Sequence, residues 1–299
     1  MKKTCKLFAF FLIVSLYSSC FRLDDNLFNY EKTDGYYLDN YTGDHELDIG
    51  HSYDIPDSLI HIFTLDSQNC DECSPDKIYA IYIGDTSRIA TDTVFLYLHG
   101  NRGHMDVYWE RAKLLANAGG KNRFGVMMID YRGYGLSEGT PTEEGLYADA
   151  NAAQMWLEKK GLIGDRLIHY GYSLGTAPAT ELAATPRTLR PGWLILESPF
   201  ASADVMVTDA AGLNMPGSFY VSLKINVAED IKKVNQPFLW MHGTDDSFLN
   251  IKTHGEVVYK NYLGLKGVAY RVEGAEHNNV PTVMGYENYL QNLSNFIVN

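Results

Sequence analysis

The stretch Leu167-Ile168-His169-Tyr170-Gly171-Tyr172-Ser173-Leu174-Gly175-Thr176 decides how this 299-residue chain is read. A short apolar run ends in Gly-Tyr-Ser-Leu-Gly, and Thr176 to Ala184 suits a helix. The pattern predicts strand, sharp turn and helix, with Ser173 at the apex. Such a turn strains the serine backbone and brings its flanks against the neighbouring strand and helix, so positions 171 and 175 must be small. A serine hydroxyl is a weak nucleophile alone. The reading therefore requires a base, an acid that orients it, and donors for an oxyanion, each elsewhere in the chain.

Outward from that turn, strand and helix alternate, the signature of a largely parallel, doubly wound sheet. Val94 to Leu98 precedes a helix expected over about Met105 to Asn117. Phe124 to Ile129 precedes one over about Pro141 to Lys160, with Thr140 as cap, Pro141 in the first turn and Glu143 closing a capping box. Leu146, Ala150, Ala153 and Leu157 give that helix one apolar face. Trp193 to Leu196 is the strand after the serine unit. Pro237 to Met241, a helix around Asn250 to Tyr262, a strand Val268 to Val272 and a closing helix from about Thr282 to Val298 complete the alternation. Upstream, Leu59 to Leu65 and Lys77 to Ile83 read as an antiparallel pair at the sheet edge. Between Phe200 and Asn226 the alternation breaks, and we expect a short cap over the carboxyl ends of the strands. Its Val205, Met206, Val207, Leu213, Met215, Phe219 and Val221 suit either an acyl pocket or simple docking of a helix.

The N-terminus reads as a leader. Lys2, Lys3 and Lys6 precede an apolar run, Leu7 to Leu16, shorter than the roughly 20 residues that span a bilayer. Leu16-Tyr17-Ser18-Ser19-Cys20 resembles a bacterial lipoprotein signal, with Cys20 as the lipidated residue, although Tyr17 stands where Leu, Val or Ile is usual. Ordinary secretion with cleavage near Ser19 is the alternative. The divisions expected are a signal over 1–19, a tether and N-terminal extension over 20–57, and a catalytic domain over 58–299 with its cap at about 200–226. The location implied is the bacterial cell envelope, lipid-anchored, or else soluble outside the cytoplasm. Cys70 and Cys73 then remain as a pair in a polar loop, read as a disulfide, because no second Cys/His pair stands at metal spacing. A formal charge of −12 with no basic stripe argues against nucleic acid as partner. Acidity of this kind names no substrate, and the oligomeric state is open.

In an open parallel sheet, reactive groups collect beyond the carboxyl ends of the strands. Four such ends carry them: His99-Gly100-Asn101-Arg102-Gly103, Ser173, His242-Gly243-Thr244-Asp245-Asp246 and Gly274-Ala275-Glu276-His277-Asn278. Serine, aspartate and histidine follow in the order that a nucleophile-elbow architecture needs. His277 is the expected base, on a loop that can project over the serine, whereas His254 reads as a surface histidine in the next helix. Backbone N–H groups of Leu174 and Asn101 are the expected oxyanion donors. His99 reads as a shaper of its loop.

These motifs, together with Asp130-Tyr131-Arg132-Gly133-Tyr134-Gly135-Leu136-Ser137-Glu138-Gly139, resemble the α/β-hydrolase serine hydrolases, in the branch of alpha/beta hydrolase domain-containing proteins and serine aminopeptidase-like relatives. The likeness runs from about Leu59 to Val298. It implies an α/β-hydrolase fold, a Ser173–His277–Asp246 triad, and hydrolysis of carboxylic esters or thioesters, often acyl or lipid, without metal or organic cofactor. The fifth position of His-Gly-x-x-Asp selects Asp246 over Asp245. Where many relatives carry an acidic then an aliphatic residue after that acid, Ser247 and Phe248 stand here. Two other functions are compatible with the chain: a peptidase on the same triad, and a non-catalytic binding lipoprotein on this scaffold.

Overall fold

Short, fully apolar runs bounded by turn residues suit central strands, and the computed structural model, which describes residues 27–70, 72–211 and 221–298, places them there. Eight strands form one sheet: β1 (Ile60–Ser67), β2 (Asp76–Ile83), β3 (Val94–Leu98), β4 (Gly125–Ile129), β5 (Leu167–Tyr172), β6 (Trp193–Glu197), β7 (Phe238–Gly243) and β8 (Gly267–Val272). Their spatial order is β8-β7-β6-β5-β3-β4-β2-β1. From β3 onward all neighbours run parallel, while β2 is antiparallel to both β1 and β4. The expected antiparallel pair thus lies at one edge.

Successive strand side chains point to opposite faces, and both faces are covered. Phe95, Tyr97, Ile168 and Tyr170 pack with Trp109, Leu115 and Phe296, from α1 (Trp109–Ala116) and α8 (Tyr286–Val298). Leu96, Leu98, Leu194 and Leu196 pack on the other face with Leu146, Ala153 and Leu182, from α2 (Glu143–Lys159) and α3 (Thr176–Ala184). The remaining helices are α4 (Ala203–Ala211), α5 (Val227–Asp230), α6 (Gly255–Asn261) and α7 (Val280–Met284).

Several helix boundaries differ from the sequence expectation: α1 begins at Trp109 and not near Met105, α6 begins at Gly255 and not near Asn250, and two more differ for reasons the packing shows. The cap of α2 is Thr142, whose hydroxyl accepts the Gly145 N–H at 3.0 Å, and not Thr140. Pro141 lies outside the helix, close against Gly133. Glu143 therefore starts the helix and cannot close a capping box; its carboxylate accepts the Lys224 N–H at 2.7 Å from the segment after α4. The closing helix is two helices, because Gly285 at φ +81° breaks it between α7 and α8.

The stretch before β1 packs on the domain from Leu27 onward. Asn29–Tyr30 pairs in parallel with Arg102–Gly103, and Phe28, Leu47, Ile49 and Ile55 are buried. The guanidinium of Arg111 is fully buried and is gripped by Glu46 through two hydrogen bonds of 2.7 and 2.9 Å, and by Glu197 at 2.6 Å. Burial alone would drive the Arg111 proton off, but Glu197 and Glu46 overturn this and hold it on. A disulfide joins Cys70 to Cys73 between β1 and β2. The leader, Cys20 and the middle of the cap with Leu213, Met215 and Phe219 lie outside the described residues. No helix among the described residues is long and apolar enough to cross a membrane.

Candidate active site

The chain leaves β3 for β4 on one side of it and returns to β5 on the other, so the order reverses between β3 and β5. Ligands settle in the crevice beyond such a reversal. The loops of Asn101 and Ser173 flank it, and Asp246 and His277 follow β7 and β8.

Ser173 is buried and sits at φ +49°, a left-handed backbone that costs a non-glycine residue about 1–2 kcal/mol. The flanking glycines permit it. A Cβ on Gly171 would stand 2.6 Å from the Gly175 carbonyl oxygen, and one on Gly175 would stand 1.9 Å from the Leu98 carbonyl oxygen. Helix α3 begins three residues after the serine and directs its positive end toward it.

Three side chains from three strand ends form one line. Ser173 Oγ lies 2.9 Å from His277 Nε2, and His277 Nδ1 lies 2.8 Å from Asp246 Oδ2. With Nδ1–H donating to the carboxylate, Nε2 is left to accept the serine proton. Asp246 has further donors: the amides of Leu249 and Phe248 reach Oδ1 at 2.7 and 3.0 Å, and His242 Nε2 stands 3.0 Å from Oδ2. Burial would raise this carboxyl, but hydrogen bonds from His242 and His277 and the Leu249 amide outweigh burial and hold it well below the carboxylate range. Asp245 is exposed and, among the described residues, its carboxylate accepts only the neighbouring Thr244 hydroxyl.

His277 is held through its backbone. Ser198, also left-handed at φ +47°, donates its hydroxyl to the His277 carbonyl at 3.1 Å. Ser247 fastens Glu276, the residue before His277, by N–H and hydroxyl bonds of 3.1 and 3.0 Å. Phe248 stands edge-on to the His277 ring at 5.0 Å. Ser247 thus holds Glu276, and Phe248 packs on His277.

A cavity opens over the serine. Its lining is apolar except for Asn101 and Ser173: Leu174 beside Ser173, Phe200, Ala203, Met206, Leu223 and Ile225 around the cap, Phe248 beside His277, and Leu27 and Phe28 from the N-terminal stretch. The amide-bearing residues expected for an oxyanion, Asn101 and Leu174, therefore share one cavity with Ser173. Among the described residues no group of three or more His, Cys, Asp or Glu side chains could hold a metal ion.

Two histidines depart from or refine the sequence reading. His254 is fully buried, not on the surface: it caps α6, and its Nδ1 accepts the Ala201 N–H at 3.1 Å while Nε2 faces Asp209 of α4 at 3.4 Å. Desolvation pushes its pKa down to about 4 against the pull of Asp209. His99 is buried beside Asp130 at 3.2 Å, with its other nitrogen on the Gly100 carbonyl, so it braces the Asn101 loop. Sequence reasoning missed the support from His242, although its i, i+4 spacing to Asp246 was a signal, and missed Leu27, Phe28 and Glu46 altogether.

A family model described as "alpha/beta hydrolase fold" matches residues 93–191. Human alpha/beta hydrolase domain-containing protein 17B is 29% identical over 226 residues, which are 75% of this chain and 68% of that protein. Protein 17C of Mus musculus is 30% identical over 203 residues, 68% of this chain and 58% of its own length. Among solved structures, an esterase of Pyrococcus furiosus superposes with a TM-score of 0.66 over 90% of this chain and 98% of its own, at 16% identity. At that identity the likeness is one of fold. These three proteins are eukaryotic or archaeal, and their likeness says nothing of a bacterial lipoprotein leader.

Proposed function

From an α/β-hydrolase fold with serine, imidazole and carboxylate hydrogen-bonded in one line at its strand ends, we propose that this chain is a serine hydrolase of carboxylic esters or thioesters. The continuous relay from Ser173 through His277 to Asp246, at the floor of an apolar cavity, carries the reading.

Neutral His277, with its proton on Nδ1, takes the hydroxyl proton at Nε2 as Ser173 Oγ attacks the carbonyl carbon. The resulting imidazolium is stabilised by Asp246, which keeps its charge throughout. The tetrahedral oxyanion is received by the Leu174 and Asn101 amides. Donors already fixed toward the position where charge develops favour the transition state over the ground state. Collapse breaks the bond to the leaving oxygen or sulfur, which takes the proton from Nε2. Water then loses a proton to Nε2, attacks the acyl-serine, and the acid product leaves with Ser173 restored. The apolar lining fits an acyl chain.

The test is hydrolysis of p-nitrophenyl acyl esters beside aminoacyl-nitroanilides. Loss of ester turnover in a folded Ser173→Ala variant is expected. Unchanged turnover sinks the assignment; preference for the anilides would make the enzyme a peptidase; a folded protein that never labels with a fluorophosphonate would make it a binding protein.

The proposal extends to location. The leader pattern ending at Cys20 supports a lipid-anchored envelope protein, and a Cys20→Ser variant should then move from the detergent phase to the aqueous phase on partitioning. Identical partitioning of both forms would leave ordinary secretion.

A further inference from the structure

The N-terminal stretch reaches the loop that follows β3 at Asn101, one of the two residues expected to serve the oxyanion. Asn101 is clamped by it from both ends of its amide: Nδ2–H donates to the Leu27 carbonyl, and Oδ1 accepts the Asn29 N–H at 3.0 Å, with the Tyr134 hydroxyl at 2.7 Å. Asn29–Tyr30 continues as a parallel ladder on Arg102–Gly103. Beyond it, the Glu31 carbonyl accepts the Gly135 N–H at 2.8 Å, and Lys32 donates to the Ser137 carbonyl at 2.7 Å. Tyr36 then donates to Asp130 at 2.6 Å, and Asp130 faces His99, two residues before Asn101. The loop is thus held directly and through the Asp130–His99 pair. Meanwhile Leu27 and Phe28 line the cavity together with Leu174, Met206, Ile225 and Phe248.

We propose that Leu27–Tyr30 is a working part of the site: its backbone positions Asn101, and its side chains, Phe28 above all, set the size of the acyl group admitted. The proposal rests on the acyl-transfer reading above. Asn101 contributes its backbone N–H to that chemistry, whereas its side chain is spent on the strap. Removing the side chain leaves the donor in place and loosens its position. A wall residue acts differently, since changing its volume alters which substrate fits without touching the reacting atoms.

The experiment profiles p-nitrophenyl esters from C2 to C16, with alkyl fluorophosphonate labelling of Ser173 in parallel, on the full chain and on Phe28→Ala, Phe28→Trp and Asn101→Ala. Phe28→Ala should move the optimum at least two carbons toward longer chains and raise kcat/KM for those esters about fivefold relative to the parent optimum; Phe28→Trp should move it the other way. Asn101→Ala should lower kcat about tenfold at every chain length with KM little changed. Leu27→Ala, with the smaller cut, stands in if Phe28→Ala does not fold. A purely structural strap would depress all esters alike, so an unmoved optimum in the Phe28 and Leu27 variants, or a kcat for Asn101→Ala within about twofold of the parent, overturns the proposal. A parent chain that neither turns over any ester nor labels at Ser173 removes the acyl-transfer reading and this proposal together.

Discussion

Replacing Asp246 by asparagine changes one atom of the carboxylate, and the surroundings determine which way the new amide turns. The Leu249 and Phe248 amides both donate to Oδ1, so the amide oxygen stays there and the NH2 group takes the place of Oδ2. That group then faces His277 Nδ1 and His242 Nε2, which donate to Oδ2 in the native arrangement. Two donors cannot share a hydrogen bond. His277 answers by moving its proton to Nε2, which turns a donor toward Ser173 Oγ and leaves nothing to accept the serine proton. Holding the base in the wrong tautomer costs about 10⁴-fold in kcat, or about 5 kcal/mol of barrier. His242 keeps its second acceptor, the Leu249 carbonyl at 2.9 Å, so the fold should persist. The assay is kcat and KM on a short p-nitrophenyl ester, with thermal unfolding of both proteins alongside. Activity within tenfold of the parent in a folded Asp246→Asn protein would refute the tautomer argument and point to Asp245 or Glu276 as the orienting acid.

Three further outcomes follow from the packing. Gly175→Ala should cost about 4 kcal/mol or more in chemical denaturation, because the methyl meets the Leu98 backbone; Gly274→Ala, at φ +73° with open space around it, should cost only about 1 kcal/mol. Arg111→Met strands two buried carboxylates and should cost about 3–5 kcal/mol, with Lys a poor substitute for a guanidinium that bridges Glu46 and Glu197. Acid should destabilise the fold while most carboxylates are still charged. His169 is buried between the Ala179 carbonyl and Gln154, and desolvation pushes it down to about 4, as it does His254. Both fold as neutral rings, so their contribution is full above about pH 6.5 and is lost as pH falls through about 4, on the order of 3 kcal/mol for His169. Midpoints of thermal unfolding from pH 8 to 4 test this, and a curve flat across that window would contradict it.

Signals carried by neighbouring residues were legible in the sequence alone. The apolar runs at 94–98, 125–129 and 167–172 became central strands, and Gly171 and Gly175 announced the turn because their constraint is local. The grouping of Ser173, Asp246 and His277 was legible because a parallel sheet brings its strand ends together whatever the detail of packing. Partnerships across the chain were not. Nothing near Glu46 says that it will meet Arg111, 65 residues away, nor that Arg111 will meet Glu197 a further 86 on. His254 read as exposed for the same reason: its burial depends on Ala201 and Asp209, which no helical periodicity reports. Thr140 read as the cap of α2, in place of Thr142, because the contact of Pro141 with Gly133 that keeps Pro141 out of the helix is tertiary.

The partners of the N-terminal stretch impose an order of events on synthesis. Leu27 to Glu46 is made early, yet Asn101, Asp130 and Arg111 do not exist when it leaves the ribosome, and Glu197 comes later still. At about 5–20 residues per second, translation separates Glu46 from the second acid of its buried cluster by about 8–30 s. During that interval its docking site is incomplete, with Asn101, Asp130 and Arg111 made but Glu197 not yet. A segment made early thus depends on partners made later, and the cavity over Ser173 has its Leu27 and Phe28 wall only once those partners exist.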